Sequence, residues 1–155
     1  MGRLVSQEEI IEIVRQGQQD HKTFVVTNGC FDILHVGHVR YLQKTKSLAD
    51  FSIVMLNSDK SVKMIKGDSR PINNEQDRAE ILNALSCVDY VVLFDEKSPA
   101  ELLEKIKPNI YTKGADYTLE TLPERDIVKR NNIKVEFIEF VQGKSTTNII
   151  NKINK

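Results

Sequence analysis

The sequence is poor in the features that build cross-linked or strongly charged proteins. Its 155 residues include two cysteines and no tryptophan, and 22 Lys and Arg balance 22 Asp and Glu. Two cysteines outside any CxxC pattern do not make a disulfide framework, and they fit a reducing compartment. A net charge of zero creates no overall field that would attract nucleic acid or anionic lipid. Any affinity for phosphate must therefore be local.

Long apolar runs are missing as well. No stretch approaches the roughly 20 apolar residues that span a bilayer, and the first residues lack the apolar core and cleavage site of a secretory signal. We therefore expect a cytoplasmic protein with no membrane or nucleic acid partner. The length and the 40% apolar content predict one domain over residues 1–155.

Apolar and β-branched runs alternate with helical patterns along the chain. A capping-box sequence at residues 6–9 predicts a helix that forms an N-terminal extension (1–20) to a catalytic fold (21–155). Strands are predicted at 23–28, 51–57, 90–94, 109–113 and 133–138, with helices at 35–48, 58–65, 74–86, 98–106, 123–130 and 145–153. This alternation predicts an α/β fold with a Rossmann-like, doubly wound, parallel five-stranded sheet and helices on both faces. Ile81 and Ile153 are expected to pack inward from their helices.

The most informative segment is 29–39, GCFDILHVGHV, at the junction of the first long strand and the next helix. It places His35 and His38 at a helix N-terminus, where free N–H groups and the helix dipole favour an anion. Gly37 lets a ligand approach the backbone closely. The two histidines could instead be surface helix residues. A zinc site with Cys30 lacks a fourth ligand and any HExxH or CxxC pattern.

This segment resembles the HxGH signature of the cytidylyltransferase-like nucleotidyltransferases. Its form GCFDxLHxGH is most similar to the adenylyltransferase module that makes ADP-heptose. Three later segments extend the resemblance, namely KGDSRP at 66–71, KGADY at 113–117 and GKSTTNII at 143–150. They follow predicted strands, and the carboxyl ends of parallel strands are where ligands bind in open α/β sheets.

The resemblance implies transfer of AMP from ATP to a sugar 1-phosphate, with D-glycero-D-manno-heptose 1-phosphate as the expected acceptor and pyrophosphate as the second product. His35 and His38 would donate imidazole N–H bonds to the triphosphate, and Lys66 would bring positive charge to the reacting phosphates. The residues expected to bind the nucleotide are Gly29, Cys30, Phe31, Asp32, Gly37, Arg78, Lys113, Gly114, Asp116, Ser145, Thr146 and Thr147. Mg²⁺ would accompany ATP without a dedicated protein metal site. A homodimer is expected, as is common among relatives.

Several of these residues also have a structural interpretation. Cys30 could be a small buried apolar residue, and Asp32 could cap the following helix. Arg78 could be a solvated helix charge. The segment 113–117 could be a glycine turn that ends a strand, and the hydroxyls at 145–147 could be plain helix caps.

Two rival functions remain open at this stage. The first is cytidylyl or guanylyl transfer to glycerol 3-phosphate, a phosphoamino alcohol or another heptose 1-phosphate. The glycerol-phosphate enzymes resemble RTEG where this chain has FVQG at 140–143, and they carry threonine in place of Cys30. The second is a non-catalytic nucleotide-binding module, which the pair of histidines and Lys66 disfavour. A Walker A loop is excluded, because Ile138 occupies the position of its first glycine.

Overall fold

A computed structural model of the chain describes residues 1–139 and 145–154. The strands are β1 (Arg3–Val5), β2 (Phe24–Gly29), β3 (Phe51–Asn57), β4 (Tyr90–Phe94), β5 (Ile110–Gly114) and β6 (Lys134–Ile138). The helices are α1 (Gln7–Gln19), α2 (Val36–Lys46), α3 (Asp59–Lys66), α4 (Glu75–Asn83), α5 (Ala100–Ile106), α6 (Arg125–Arg130) and α7 (Thr146–Ile153). The predicted motif positions Gly143 and Lys144 lie outside the described residues.

The sheet is parallel throughout, and its strand order is β1-β4-β3-β2-β5-β6. The predicted α/β class and doubly wound sheet are confirmed, but the predicted count of five strands is wrong. The sixth strand, β1, lies in the N-terminal segment, where Arg3 pairs with Tyr90 and Val5 pairs with Val92 of β4. A three-residue strand is too short to show an alternating pattern, and its partner is distant in sequence. The segment 1–20 therefore supplies an edge strand of the sheet in addition to the predicted helix.

Side-chain caps fix the starts of α1 and α4 as predicted. The Ser6 hydroxyl accepts a hydrogen bond from the Glu9 N–H at 3.1 Å, and the Glu9 carboxylate accepts one from the Ser6 N–H at 3.1 Å. The Asn74 side chain accepts from the Asp77 N–H at 2.9 Å, which begins α4. Each cap satisfies an N–H group that has no partner inside the helix.

Two apolar cores cover the two faces of the sheet. Alternate residues of β3 divide between them: Ile53 and Met55 belong to one core, and Val54 and Leu56 belong to the other. Side chains of a strand point alternately to opposite faces, so a continuous apolar run is what a strand buried on both faces requires. No helix among the described residues is long and apolar enough to cross a membrane.

Two predicted inward-facing isoleucines are instead exposed. Ile81 is 44% exposed and Ile153 is 72% exposed. Helix α4 buries the face that carries Ala79 and Leu82, and Ile81 lies on the opposite side of the helix. Helix α7 has no fully buried residue: Ile149 and Ile150 are half-buried, and Ile153 lies in the exposed last turn.

The connections diverge between β2 and β5, which are neighbouring inner strands of the sheet. From β2 the chain proceeds through α2 to β3, and from β5 it proceeds through α6 to β6 on the other side. Such a divergence opens a crevice at the carboxyl ends of the strands, where ligands of this architecture bind.

Candidate functional site

A cavity of about 570 Å³ lies at this crevice. Its size falls within the range of small-molecule sites, roughly 300–1,000 Å³. All the predicted site residues except Arg78 line it. They are Gly29, Cys30, Phe31, Asp32, His35, Gly37, His38, Lys66, Lys113, Gly114, Asp116, Ser145, Thr146 and Thr147. The structure thus brings together residues from four separate segments of the chain.

The two histidines are held at the start of α2 by hydrogen bonds to their Nδ1 atoms. His35 is the N-cap, and its Nδ1 accepts from the Gly37 N–H at 3.1 Å. His38 Nδ1 accepts from the His35 N–H at 3.3 Å, and the two rings stack with centroids 3.8 Å apart. A neutral imidazole that accepts at Nδ1 carries its proton on Nε2. Each ring therefore offers one Nε2–H donor to a ligand in the cavity.

His38 is neutral at physiological pH. Burial, together with the neighbouring His35 and Lys66, lowers the pKa of His38 from 6.5 to about 4. The Phe31 ring contributes to this burial, with its centroid 5.1 Å from that of His38. The neutral His38 ring can therefore donate its N–H to a phosphate oxygen, and its protonation state does not change near pH 7.

This pKa predicts an acid-sensitive stability. The folded pKa lies below the unfolded value, so between pH 6.5 and about 4 the unfolded chain binds a proton that the folded chain does not. The free energy of unfolding should therefore fall as the pH drops through this window, with a contribution of about 2 to 3 kcal/mol from His38. We expect His38→Asn, which keeps an acceptor for the His35 N–H, to lose this part of the dependence. Denaturant unfolding across the window measures it, and identical profiles for the two proteins would contradict it.

Asp32 fastens the loop after α3 to the histidine segment. Its buried carboxylate accepts hydrogen bonds from Arg70 Nε at 2.8 Å and from the backbone N–H groups of Ile72 and Asn73 at 2.9 Å. Burial opposes ionisation, but the Asn73 and Ile72 N–H groups and the Arg70 guanidinium hold the pKa of Asp32 below its usual value. The helix-cap interpretation is wrong, because His35 caps α2.

Arg70 belongs to the cavity although the sequence interpretation assigned it no role. Its guanidinium lies in the cavity wall, and its side chain is 11% exposed. One of its terminal nitrogens is buried without a hydrogen-bond partner in the described part of the chain. The ion pair with Asp32 holds the guanidinium in the wall of the cavity that the histidines also line, so Arg70 supplies a positive charge for an anionic ligand.

Arg78 does not line the cavity, contrary to its predicted nucleotide contact. It is 1% exposed, so it is not a solvated helix charge either. Its guanidinium donates to the carbonyls of Cys30, Asn57 and Asn73 at 2.7–2.9 Å. It also donates to the Asp59 carboxylate at 2.8 Å. Arg78 is therefore a buried connector behind the cavity wall.

Cys30 and Lys66 also line the part of the cavity that holds the histidines. Burial raises the pKa of the Cys30 thiol, although Lys66, Arg78 and Arg70 oppose this. A protonated, half-buried thiol fits a packing role better than that of a nucleophile. Lys66 is the exposed last residue of α3 rather than a loop residue.

The β5 side of the cavity is polar and aromatic. Lys113 Nζ donates to Asn28 Oδ1 at 3.3 Å and lies 4.9 Å from the centre of the Tyr117 ring. Burial lowers the pKa of Lys113, opposed by the nearby Glu124 and Asp116. Asn28 and Tyr117 also line the cavity, although neither was predicted as a site residue; Tyr117 ends the motif at 113–117, and Asn28 directly precedes the motif at 29–39. Glu124 lines the cavity too, and it was missed because nothing in its local sequence places it near the motif residues.

The N-terminus of α7 forms part of the cavity wall. Ser145 Oγ accepts from the Asn148 N–H at 3.0 Å and so caps the helix. Thr146 Oγ1 donates to the Ile33 carbonyl at 2.8 Å, which fastens α7 to the segment before α2. Thr147 is exposed. The cap interpretation of Ser145 is thus confirmed, and the helix start faces the same cavity as the histidines.

Three comparisons with known proteins bear on this site. A family model described as cytidylyltransferase-like matches residues 26–152. The bifunctional protein HldE of Syntrophotalea carbinolica is 51% identical over 146 residues, which are 94% of this chain and 30% of that protein. HldE of Geobacter metallireducens is 54% identical over 132 residues, which are 85% of this chain and 27% of that protein. The chain therefore spans less than a third of the length of these curated relatives.

A solved structure shares the fold. The lipopolysaccharide core biosynthesis protein from Thermoplasma volcanium matches with a TM-score of 0.62 and 29% identity. The match covers 79% of this chain and 99% of that one.

Proposed function

We propose that this chain, which belongs to the cytidylyltransferase-like family, transfers AMP from ATP to D-glycero-D-manno-heptose 1-phosphate and releases pyrophosphate. Family membership makes the chain a nucleotidyltransferase. The observation that carries the proposal is the convergence of His35, His38, Lys66 and Arg70 in one cavity. The heptose substrate is supported by the resemblance of residues 29–39 to the modules that make ADP-heptose, and the solved neighbour is named as a lipopolysaccharide core biosynthesis protein. The cytoplasmic location and the dimer stay predictions.

The chemistry requires charge stabilisation more than base catalysis. When a sugar phosphate oxygen attacks the α-phosphorus, negative charge grows on the equatorial oxygens and on the departing pyrophosphate. The Nε2–H groups of His35 and His38 would donate to these oxygens from fixed positions. Preorganised donors of this kind lower the barrier because they need no rearrangement during the reaction.

The two cations would act at different places. Arg70, held by Asp32, would bind phosphate oxygens in the ground state and in the transition state alike. Lys66 has no hydrogen bond or ion pair within residues 1–139 and 145–154, and its exposed amine can reach an arriving acceptor phosphate. On the β5 side, Lys113, Gly114 and Asp116 would contact the nucleoside.

The cavity also fits Mg²⁺ carried by the triphosphate. Its carboxyl side chains are Asp32, Asp116 and Glu124. Among the described residues, no three His, Cys, Asp or Glu side chains are grouped so as to hold a metal ion. Mg²⁺ in such sites is held mainly by phosphates and water with one or two carboxylates, and the exposed Asp116 would serve. The bound ion screens the charge of the triphosphate.

Lys66→Ala should reduce turnover more than ATP affinity. We expect kcat to fall by about tenfold or more while the Kd for ATP changes by less than about twofold, because the exposed amine engages fully only when the acceptor arrives. Pyrophosphate release and calorimetric titration with ATP measure the two quantities. Lys63→Ala, one turn earlier on α3 and outside the cavity lining, is the matched control. A loss of ATP affinity as large as the loss of kcat would indicate a ground-state role.

A substrate panel tests the proposed reaction. Pyrophosphate release should be seen with ATP and heptose 1-phosphate, at a kcat/KM above that with CTP or GTP. A pocket that pairs with one base edge leaves its polar groups unpaired with another, so discrimination can be large. Glycerol 3-phosphate and a reaction without acceptor are the controls. Preference for CTP or GTP would overturn the adenylyl assignment but not the nucleotidyl transfer.

A further inference from the structure

Glu124 is a buried carboxyl group in the cavity wall with no part in the mechanism above. It is 2% exposed, and it lines the same cavity as the histidines. Glu124 immediately precedes α6, yet its side chain makes no capping hydrogen bond to that helix. Glutamate is rarely buried to this extent without a partner for its oxygens. The fold alone therefore does not account for its presence here.

The two carboxyl oxygens of Glu124 differ in their contacts. Oε1 lies 3.2 Å from the Tyr111 hydroxyl, whose single proton it shares with Asn28 Oδ1. Oε2 is buried and has no hydrogen-bond partner among the residues that the structure describes. Buried acceptors are nearly always paired in native proteins. An unpaired oxygen in the wall of a cavity is thus an acceptor that a ligand can satisfy.

The groups around Glu124 suit a neutral ligand group. Asn28 Oδ1 accepts from the Tyr111 hydroxyl at 2.9 Å and from Lys113 Nζ at 3.3 Å. These contacts occupy Tyr111 and place Asn28 and Lys113 beside the carboxyl. Phosphate oxygens are largely deprotonated at neutral pH and are therefore acceptors, whereas hydroxyl and amino groups can donate to Glu124.

We propose that Glu124 Oε2 accepts a hydrogen bond from a neutral O–H or N–H group of a substrate and so helps to select that substrate. The donor would be a hydroxyl of the acceptor sugar or a hydroxyl or amino group of the nucleoside. This inference rests on the proposed function, since it takes the cavity as the site of both substrates. A substrate analogue that lacks the donor leaves Oε2 unpaired and is rejected.

Glu124→Gln tests the inference with little change in shape. Glutamine keeps a carbonyl oxygen for the Tyr111 hydroxyl and replaces Oε2 with an amide donor. We expect the Kd of one substrate to rise by about tenfold or more, because a donor would then face a donor. Calorimetry measures the Kd of ATP alone, and that of heptose 1-phosphate in the presence of α,β-methylene-ATP, which cannot transfer AMP. Glu120→Gln, an exposed residue outside the cavity, is the control.

The outcomes separate the two sources of the donor. A rise in Kd for the sugar phosphate assigns it to the sugar, and a rise for ATP assigns it to the nucleoside. If the donor belongs to the nucleoside, the ATP analogue that lacks it, purine riboside triphosphate or a deoxy analogue, should bind wild type more weakly than ATP does. The Glu124→Gln variant should bind that analogue and ATP with the same Kd. Unchanged Kd values for both substrates would overturn the inference.

Two further measurements keep this test independent of folding and of turnover. If Glu124→Gln does not fold, wild type is titrated with ATP and sugar phosphate analogues that each lack one donor. The inference is then wrong if no single deletion raises Kd by about tenfold. Absence of pyrophosphate release by wild type would instead contradict the proposed function, because the binding measurements need no turnover.

Discussion

Replacing either His35 or His38 with alanine is expected to lower kcat by about 10²-fold or more, since each change removes one N–H donor to the transition state. The Nδ1 hydrogen bonds leave Nε2–H as the donor in both rings, and the stacked arrangement fixes where these donors point. The melting temperature should change little, because both side chains lie at the start of α2 in the wall of the cavity rather than in the apolar cores. Steady-state pyrophosphate release gives the measurement.

Two variants make this experiment specific. His21→Ala removes the third histidine of the chain, which is exposed and outside the cavity, and should leave kcat unchanged. His38→Asn keeps an acceptor near the position of Nδ1 but has no donor at the position of Nε2. We expect it to be as slow as His38→Ala. Near-normal kcat in an alanine variant of either cavity histidine, with melting unchanged, would refute the assigned role.

The central strands could be predicted from the sequence because their environment is uniform. The structure places β3 at Phe51–Asn57 and β4 at Tyr90–Phe94, as predicted. Both are continuous apolar runs, which a parallel strand buried on both faces requires. Capping residues such as Ser6 and Asn74 act over three residues, so local sequence also locates the helix starts.

The position of the site could be predicted for a topological reason. The motif segments follow β2, β3 and β5 and precede α7, and a parallel sheet brings the carboxyl ends of its strands to one edge. A coarse strand assignment was therefore sufficient to expect that His35, Lys66 and Asp116 share one cavity. Small errors in strand boundaries do not alter this expectation.

Features that depend on distant pairing could not be predicted in the same way. Strand β1 is defined by its pairing with β4, about 85 residues away, and a three-residue pattern carries little information. The burial of Glu124 depends on the position of β5 beside it, since Tyr111 of that strand contacts its carboxyl group. A single sequence does not show that β1 pairs with β4 or that Tyr111 contacts Glu124. Without that information, a glutamate outside the predicted strands is expected to be exposed to solvent.

Replacing Arg78 with methionine is expected to lower the free energy of unfolding by about 3–5 kcal/mol, the typical cost of breaking a buried, hydrogen-bonded ion pair. The guanidinium satisfies the carbonyls of Cys30, Asn57 and Asn73 and pairs with Asp59. Methionine fills a similar volume but leaves these buried acceptors unpaired. Denaturant unfolding at neutral pH measures the effect.

The same variant distinguishes a connector from a nucleotide ligand. A connector behind the cavity wall should reduce stability, while the Kd for ATP of the folded fraction changes little at low temperature. A residue that contacts the nucleotide would instead weaken ATP binding without a comparable loss of stability. Arg40→Met, an exposed residue of α2 outside the cavity, is the control for the loss of a positive charge. Weakened ATP binding with an unchanged free energy of unfolding would show that Arg78 contacts the nucleotide, and the structural assignment would be wrong.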